Sequence, residues 1–395
     1  MARMTDIIRE FLRKGDVLLL TLCLIASAFG LVLIYSATRY DPELHSNVLK
    51  QFVFICVGVV AYVVMSFVDI ELFTERTWKW MFLLNVFIIV LLLTPFGVGE
   101  QTTGNNSWLA FPFLPFNIQP AEVAKLFFVL ILALQCARYR EWGISRPGSV
   151  FRLTAHTLFM AGLITVVSGD YGMVLVYLFI FVIMAFSAGV KLRWFVLGGT
   201  LVLGGIGGVA VLAYQSESFM DKYGYIIRRF TEVFTRSDPQ GVGWQQTRSV
   251  LAIGSGKITG QGFLQGVQTQ SLSESSLPAR HTDEIFAVCG EEFGLIGCLV
   301  VLLLLTAIIL RCLWVARNAR SHYSAYIAMG FGGMLLVQTV INVSVCLYIF
   351  PVVGLTLPFF SYGGSSMLTL YAAMGIVSGV KMRSLPSWLR DRSDL

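Results

Sequence analysis

The chain has 395 residues, of which 56% are hydrophobic and only 13% charged, with a formal net charge of +6. An ordinary soluble domain carries about 25% charged residues, and a soluble fold of this length needs such polar surface to cover its core. The composition excludes a soluble enzyme, a disordered chain and a nucleic-acid binder. It indicates an all-α polytopic membrane protein, in which Lys and Arg report topology.

Residues 1–15 place Ile7, Ile8, Phe11 and Leu12 on one helical face, with Arg9, Arg13 and Lys14 among the polar positions. That pattern predicts a cytoplasmic interfacial segment on anionic lipid, with no cleavable leader expected. A span needs about 20 apolar residues. Ten such stretches follow. Transmembrane helices 1–7 occupy 16–214, at roughly 16–36, 48–68, 78–96, 119–137, 151–169, 171–190 and 193–214. A long extracellular loop takes 215–284. Helices 8–10 fill 285–380, at roughly 285–311, 323–350 and 357–380, and 381–395 is a cytoplasmic tail. Crowding between the fifth and seventh stretches keeps nine or eleven spans as alternatives. The short inner segments collect basic residues such as Arg76, Lys79, Arg138, Arg140, Arg146 and Arg152, whereas the short outer ones hold Arg39 and Lys50. This asymmetry puts both termini on the cytoplasmic side of the inner membrane.

Seven cysteines fall in or beside spans and four histidines are scattered, which reads as apolar packing rather than disulfides or a zinc centre. Gly198, Gly199, Gly204, Gly205, Gly207 and Gly208 predict close helix approach along the seventh span.

Few ionisable residues lie at membrane depth. Glu122 and Lys125, three apart, share one helix face. They are either a neutralised packing pair or part of a polar cavity. Gln119 and Pro120 open the same helix, and the preceding Asn105-Asn106-Ser107-Trp108-Leu109-Ala110-Phe111-Pro112 reads as a re-entrant or interfacial stretch. Together they predict a polar cavity open to the outside. Asp283 follows Thr282 where the long loop meets the eighth span, as a helix-capping acid or as a general base at the cavity mouth. Asp170 lies in a stretch of turn composition, Ser168-Gly169-Asp170-Tyr171-Gly172.

The segments Gly241-Val242-Gly243-Trp244-Gln245-Gln246 and Gly254 to Gly262 offer many backbone amides. Such a loop either cradles phosphate or sugar oxygens or is plain flexible surface, and its length favours a role. Pro358 to Ser366, with paired Gly363 and Gly364 and three serines, predicts a locally opened helix lining a cavity, a simple kink being the alternative.

Several motifs, taken in order, resemble the SEDS family (shape, elongation, division and sporulation). They are Gln119-Pro120-Ala121-Glu122-Val123-Ala124-Lys125-Leu126, Gly241-Val242-Gly243-Trp244-Gln245 and Ala252-Ile253-Gly254-Ser255-Gly256. Next come Leu277-Pro278-Ala279-Arg280-His281-Thr282-Asp283, Gly290-Glu291-Glu292-Phe293-Gly294 and Leu357-Pro358-Phe359-Phe360-Ser361-Tyr362-Gly363-Gly364-Ser365-Ser366. The resemblance spans nearly the whole chain, and Pro351-Val352-Val353-Gly354 is closer to its RodA branch.

The resemblance implies a peptidoglycan glycosyltransferase that polymerises lipid II, a disaccharide-pentapeptide on undecaprenyl pyrophosphate, beside a class B penicillin-binding protein. It implies a need for Asp283 in polymerisation, and a central cavity lined by Glu122 and Lys125. On that footing Asp283 is the catalytic base. Lys125, Arg229, Arg248 and Arg280 are candidates to balance the leaving pyrophosphate, Ser365 is a further substrate-binding candidate, and Glu122 holds Lys125 in place. A divalent cation, Mg or Mn, is the other source of positive charge. Membrane lipids are expected partners and nucleic acid is not. The alternatives are a lipid II flippase and a non-catalytic scaffold for the transpeptidase. The chain departs from the family pattern at Gly169, where a proline is usual, at Ser107, where an arginine is common, and at Glu284, where phenylalanine is usual. Glu284 puts a second carboxylate beside Asp283, which raises one of the two pKa values.

Overall fold

In a computed structural model the described residues run from 4 to 384, except 40–43, 100–104, 113, 115, 216–223, 225–227, 230, 239–240, 242 and 272–275. The chain is predominantly helical. A short amphipathic helix, α1 (Met4–Lys14), precedes α2 (Val17–Thr38), α3 (Ser46–Phe67) and α4 (Ile70–Val90). A two-stranded hairpin, β1 (Gly97–Val98) and β2 (Trp108–Leu109), leads into α5 (Pro120–Trp142), α6 (Pro147–Ser168), α7 (Tyr171–Ser187) and α8 (Leu192–Gln215). The long loop contains α9 (Trp244–Ser255). The chain then forms α10 (Ile285–Arg317), α11 (His322–Cys346) and α12 (Gly364–Arg383).

The helix starts follow local chemistry. Asp16, Asp69, Asp170 and Ser321 each cap a helix by accepting from the amide three residues on, while Pro120 and Pro147 stand at the first turn, where a missing N–H costs nothing. Each of the ten predicted spans overlaps one helix, but the third, expected at 78–96, is α4 at Ile70–Val90 and the tenth, expected from 357, starts at Gly364. Among the described residues eight helices are long and apolar enough to cross a membrane. Of the other two, α7 has only 17 residues and α12 ends in Lys381 and Arg383.

The core lies where α3 runs along α12 and where α11 packs against α10, α7 and α5. Close approach of α12 to α3 depends on Gly375, because a Cβ there would stand 2.5 Å from the Tyr62 carbonyl oxygen. At one end of the bundle Arg311 grips the fully buried Asp16 with Nε at 2.9 Å and Nη2 at 3.1 Å, tying α10 to the start of α2. Phe11 of α1 is buried edge-on against Tyr62, so the amphipathic segment docks on the bundle through one ring; Leu12 stays exposed.

Two expectations change. The glycines of α8 have no heavy atom within 4 Å of a would-be Cβ, so no neighbouring helix approaches them among the described residues. The Gly254–Gly262 segment is not an open phosphate cradle either. Its backbone plugs a break in α10 at Gly294 (φ 63°, ψ −159°). Gln261 and Gly262 donate to the carbonyls of Glu291 and Glu292 at 2.9 and 3.1 Å, and Leu295 and Ile296 donate back to Lys257 and Ile258 at 2.9 and 3.2 Å. The amides left over by the broken helix are thereby paired, as buried backbone requires. All seven cysteines are free, six of them buried.

Candidate functional site

A cavity of about 1060 Å³ lies where the hairpin, the starts of α5 and α7 and the loops before α10 and α12 converge. The pairings Gly97 with Leu109, Val98 with Trp108 and Leu109 with Ile118 bring these residues together just before α5. This puts Asn105, Asn106, Ser107 and Trp108 on one wall. Gly172 lets α7 press against the 351–354 segment, since a Cβ there would fall 2.2 Å from the Val353 carbonyl oxygen.

The turn carrying Asp283 is held through its backbone. Asn342 Nδ2 donates to the carbonyls of both Asp283 and Leu355 at 2.7 Å. Ser361 Oγ donates to Thr282 O at 2.5 Å, and the Tyr362 amide to His281 O at 2.9 Å. The backbone is thus fixed by α11 and the 353–362 segment, while the Asp283 side chain lines the cavity. Its carboxylate accepts no hydrogen bond and makes no ion pair among the described residues. Burial, then Glu284, then Asp170 push its pKa up to about 7. The helix-capping position is taken by Glu284, which makes no side-chain cap bond. Glu284 is fully buried and accepts from Gln245 Nε2 at 3.2 Å, and burial raises its pKa as well.

Glu122 and Asp170 join Asp283 on the cavity wall. Glu122 Oε1 takes the Lys125 ammonium at 2.9 Å, and both side chains are buried. Gln338 of α11 and Thr369 of α12 also donate to Glu122, at 3.4 Å each. Lys125 stands behind Glu122 and is not on the wall. Asp170 combines its capping role, accepting from Met173 N at 3.0 Å, with a bond from Gln119 Nε2 at 3.0 Å. Burial pushes its pKa up to about 6.

The other expected binders lie off the wall. Ser365 Oγ accepts from Gln119 N at 3.2 Å, so it sets the start of α5. Arg229 Nη1 donates to Val352 O at 2.9 Å, next to the wall residue Val353. Arg280 Nη1 donates to the carbonyls of Gln268, Thr269 and Ser271, and Glu291 accepts the amides of Gln268 and Thr269 at 2.7 Å each. The two charges clamp the same peptides from opposite sides, which makes Arg280 an organiser of the loop. Arg248 sits half-buried on α9, away from the cavity.

The basic side chain that does reach the wall is Lys50 of α3, which has no ion pair or hydrogen bond among the described residues. In the sequence Lys50 reports only topology. Its one available signal was rarity, as one of two basic residues in the short outer segments. His281 and Tyr362, rings 5.9 Å apart, are further wall residues, each inside one of the motifs that carry the family resemblance but with no role expected of it.

A family model described as cell cycle protein (FtsW, RodA, SpoVE) matches residues 16–385. Stage V sporulation protein E of Bacillus subtilis is 32% identical over 378 residues, covering 93% of this chain and 97% of that protein. The probable peptidoglycan glycosyltransferase FtsW of Thiomicrospira cyclica is 34% identical over 372 residues, 92% of this chain and 90% of its own length. A solved chain from work on the structural coordination of polymerization and crosslinking by a peptidoglycan synthase complex superposes with a TM-score of 0.75 at 27% identity, covering 94% of this chain and 98% of that one. The Thermus thermophilus rod shape determining protein RodA superposes with a TM-score of 0.64 at 26% identity over 94% of this chain and 98% of its own. With its helical bundle and ordered motifs, the chain belongs to the FtsW, RodA and SpoVE family of multi-pass membrane proteins.

Proposed function

We propose that this protein is a peptidoglycan glycosyltransferase that polymerises lipid II at the outer face of the cytoplasmic membrane, with both termini in the cytoplasm. One observation carries the reading: Asp283 presents a carboxylate with no protein partner among the described residues to a cavity of about 1060 Å³, and its pKa is pushed up to about 7. A general base works best when its pKa lies near the operating pH.

In the proposed step a sugar hydroxyl attacks the anomeric carbon of the second lipid-linked sugar. The C–O bond to the pyrophosphate breaks as the new glycosidic bond forms, with inversion. Asp283 takes the hydroxyl proton, as the base of an inverting glycosidase takes one from water. The departing pyrophosphate carries the negative charge away, and Lys50 is the ammonium on the wall available to it. Glu122, fixed by Lys125, gives the floor of the cavity a permanent acceptor.

A divalent cation of the Mg or Mn type also fits the donors present. Such ions are commonly held by one or two carboxylates together with substrate phosphates. Asp170 and Asp283 are carboxylates on the same wall, and Asp170 is near enough to help raise the pKa of Asp283. When bound, the ion would supply charge for the leaving group. The partner for crosslinking is a class B penicillin-binding protein, in keeping with the structural likeness to a chain of a peptidoglycan synthase complex.

The test is polymerisation of lipid II by the full chain purified with its transpeptidase, read as glycan strands on a gel. Asp283→Asn is expected to abolish strands while the complex stays folded. Undiminished strands from the variant would sink the assignment. Lipid translocation that persists in the variant would separate a flippase activity from polymerisation.

A further inference from the structure

The far end of α5 borders a second, smaller cavity, of about 210 Å³. Pro120 opens α5 beside the central cavity, and Trp142 closes it beside the small one. The 23 residues between span about 34 Å at 1.5 Å each, close to the thickness of the hydrocarbon layer. The two cavities therefore face opposite membrane surfaces.

The small cavity has a distinctive lining. Its floor includes Ile131 and Leu134, and its rim carries Trp78, Trp142, Arg138 and Arg152. The Arg138 guanidinium stands 5.8 Å from the Trp78 ring centre, and that of Arg152 5.8 Å from the Tyr139 ring. Lys79 adds an ammonium 5.7 Å from the other cation's ring, Trp78. No carboxylate lines the cavity.

Some basic residues at this end of the bundle have protein acceptors, whereas the side chains of Arg76, Arg146, Arg317 and Arg320 make no ion pair or hydrogen bond among the described residues. Arg140 Nη1 donates to Tyr326 Oη at 3.0 Å, Arg311 holds Asp16, and Lys381 donates to Gly15 O at 3.0 Å. Arg138, Arg152 and Lys79 make no ion pair or hydrogen bond among the described residues. Topology alone requires positive charge here, with long side chains reaching to water. It does not require a concavity with an apolar floor and an aromatic rim that carries two guanidiniums, one over Trp78 and one over Tyr139. That combination matches a molecule with a phosphate at one end and hydrocarbon at the other.

We propose that this cavity binds the phosphodiester headgroup of an anionic phospholipid, in the leaflet opposite the central cavity. Arg138 and Arg152 contact the phosphate, Trp78 and Trp142 sit at the glycerol level, and Ile131 and Leu134 meet the beginning of the acyl chains. The site is independent of the polymerisation reading, because it shares no residue with the central cavity.

The experiment uses the full chain in neutral detergent, titrated with short-chain phosphatidylglycerol or phosphatidylcholine and followed by its melting temperature. Phosphatidylglycerol is expected to stabilise it saturably and phosphatidylcholine not. R138Q/R152Q should bind phosphatidylglycerol at least about tenfold more weakly, since each basic group near a lipid surface contributes roughly fivefold. Equal stabilisation by both lipids, or unchanged binding by the variant, overturns the proposal. Displacement of phosphatidylglycerol by equimolar inorganic phosphate also overturns it, by assigning the site to free phosphate. Should the variant fail to fold, phosphatidylglycerol with a photoreactive headgroup is crosslinked to the unaltered chain. Adducts at Trp78 or Lys79, within 131–142 or at Arg152 support the proposal, and adducts only elsewhere refute it.

Discussion

At Asp283, burial and two nearby carboxylates act in the same direction and hold the proton on until about pH 7. For a base this sets the rate: polymerisation should fall about tenfold per pH unit below 7 and level off above it. The same shift acts on stability with a defined sign. In an unfolded chain an aspartate ionises near pH 4. Below that pH the group is neutral in both states and the shift has no effect. Between about 4 and 7 the unfolded state loses its proton first, so stability falls as pH rises, and the loss is complete above the folded pKa. Asp283→Asn should therefore melt with the wild type near pH 4 but on the order of a few degrees higher at pH 8. Equal melting at both pH values would mean that the carboxylate is not held in this unfavourable setting. Arg280 shows the reverse at the same scale. A guanidinium near Asp283 in sequence invites a phosphate role, yet three backbone carbonyls occupy it. Nothing in a one-dimensional pattern distinguishes a cation that faces substrate from one that staples a loop.

At the scale of elements, α10 shows how a glycine run is used. Gly260 has φ 84°, and a Cβ on it would stand 2.1 Å from the Glu292 carbonyl oxygen, a backbone atom that cannot swing aside. Gly260→Ala is expected to cost about 2 kcal/mol or more, from left-handed strain together with the displaced plug. Gly198→Ala on α8 meets open space and should be neutral or stabilising by about 0.5–1 kcal/mol, as alanine favours helix. Thermal melts of the two variants check the contrast. In sequence the two runs look alike, both dense in glycine. The span positions were legible because about 20 apolar residues in a row have few other structures open to them in lipid. What the glycines do was not, because it depends on which backbone arrives from elsewhere in the chain. The plug comes from a loop some thirty residues before the break it fills, as when Gln261 N meets Glu291 O at 2.9 Å.

Across the whole molecule, the central cavity is built by segments that no local pattern joins: α3 supplies Lys50, α5 Glu122, the α6–α7 turn Asp170 and the loop before α10 Asp283. The acids were legible singly, since charges at membrane depth are rare and costly. Lys50 was not, because an outer basic residue has an adequate topological explanation. The Glu122–Lys125 pair tests whether the buried charge serves packing or the cavity. Removing Lys125 alone leaves Glu122 as an uncompensated carboxylate among α5, α11 and α12, and Lys125→Met should destabilise by roughly 3–5 kcal/mol. Removing both charges relieves that cost, so E122Q/K125M should melt closer to the wild type than K125M does. Only Glu122 reaches the wall. The double variant should therefore stay folded yet lose most polymerisation, because the cavity floor no longer carries a fixed negative acceptor. A double variant with full activity would make the pair a packing device that happens to border the cavity.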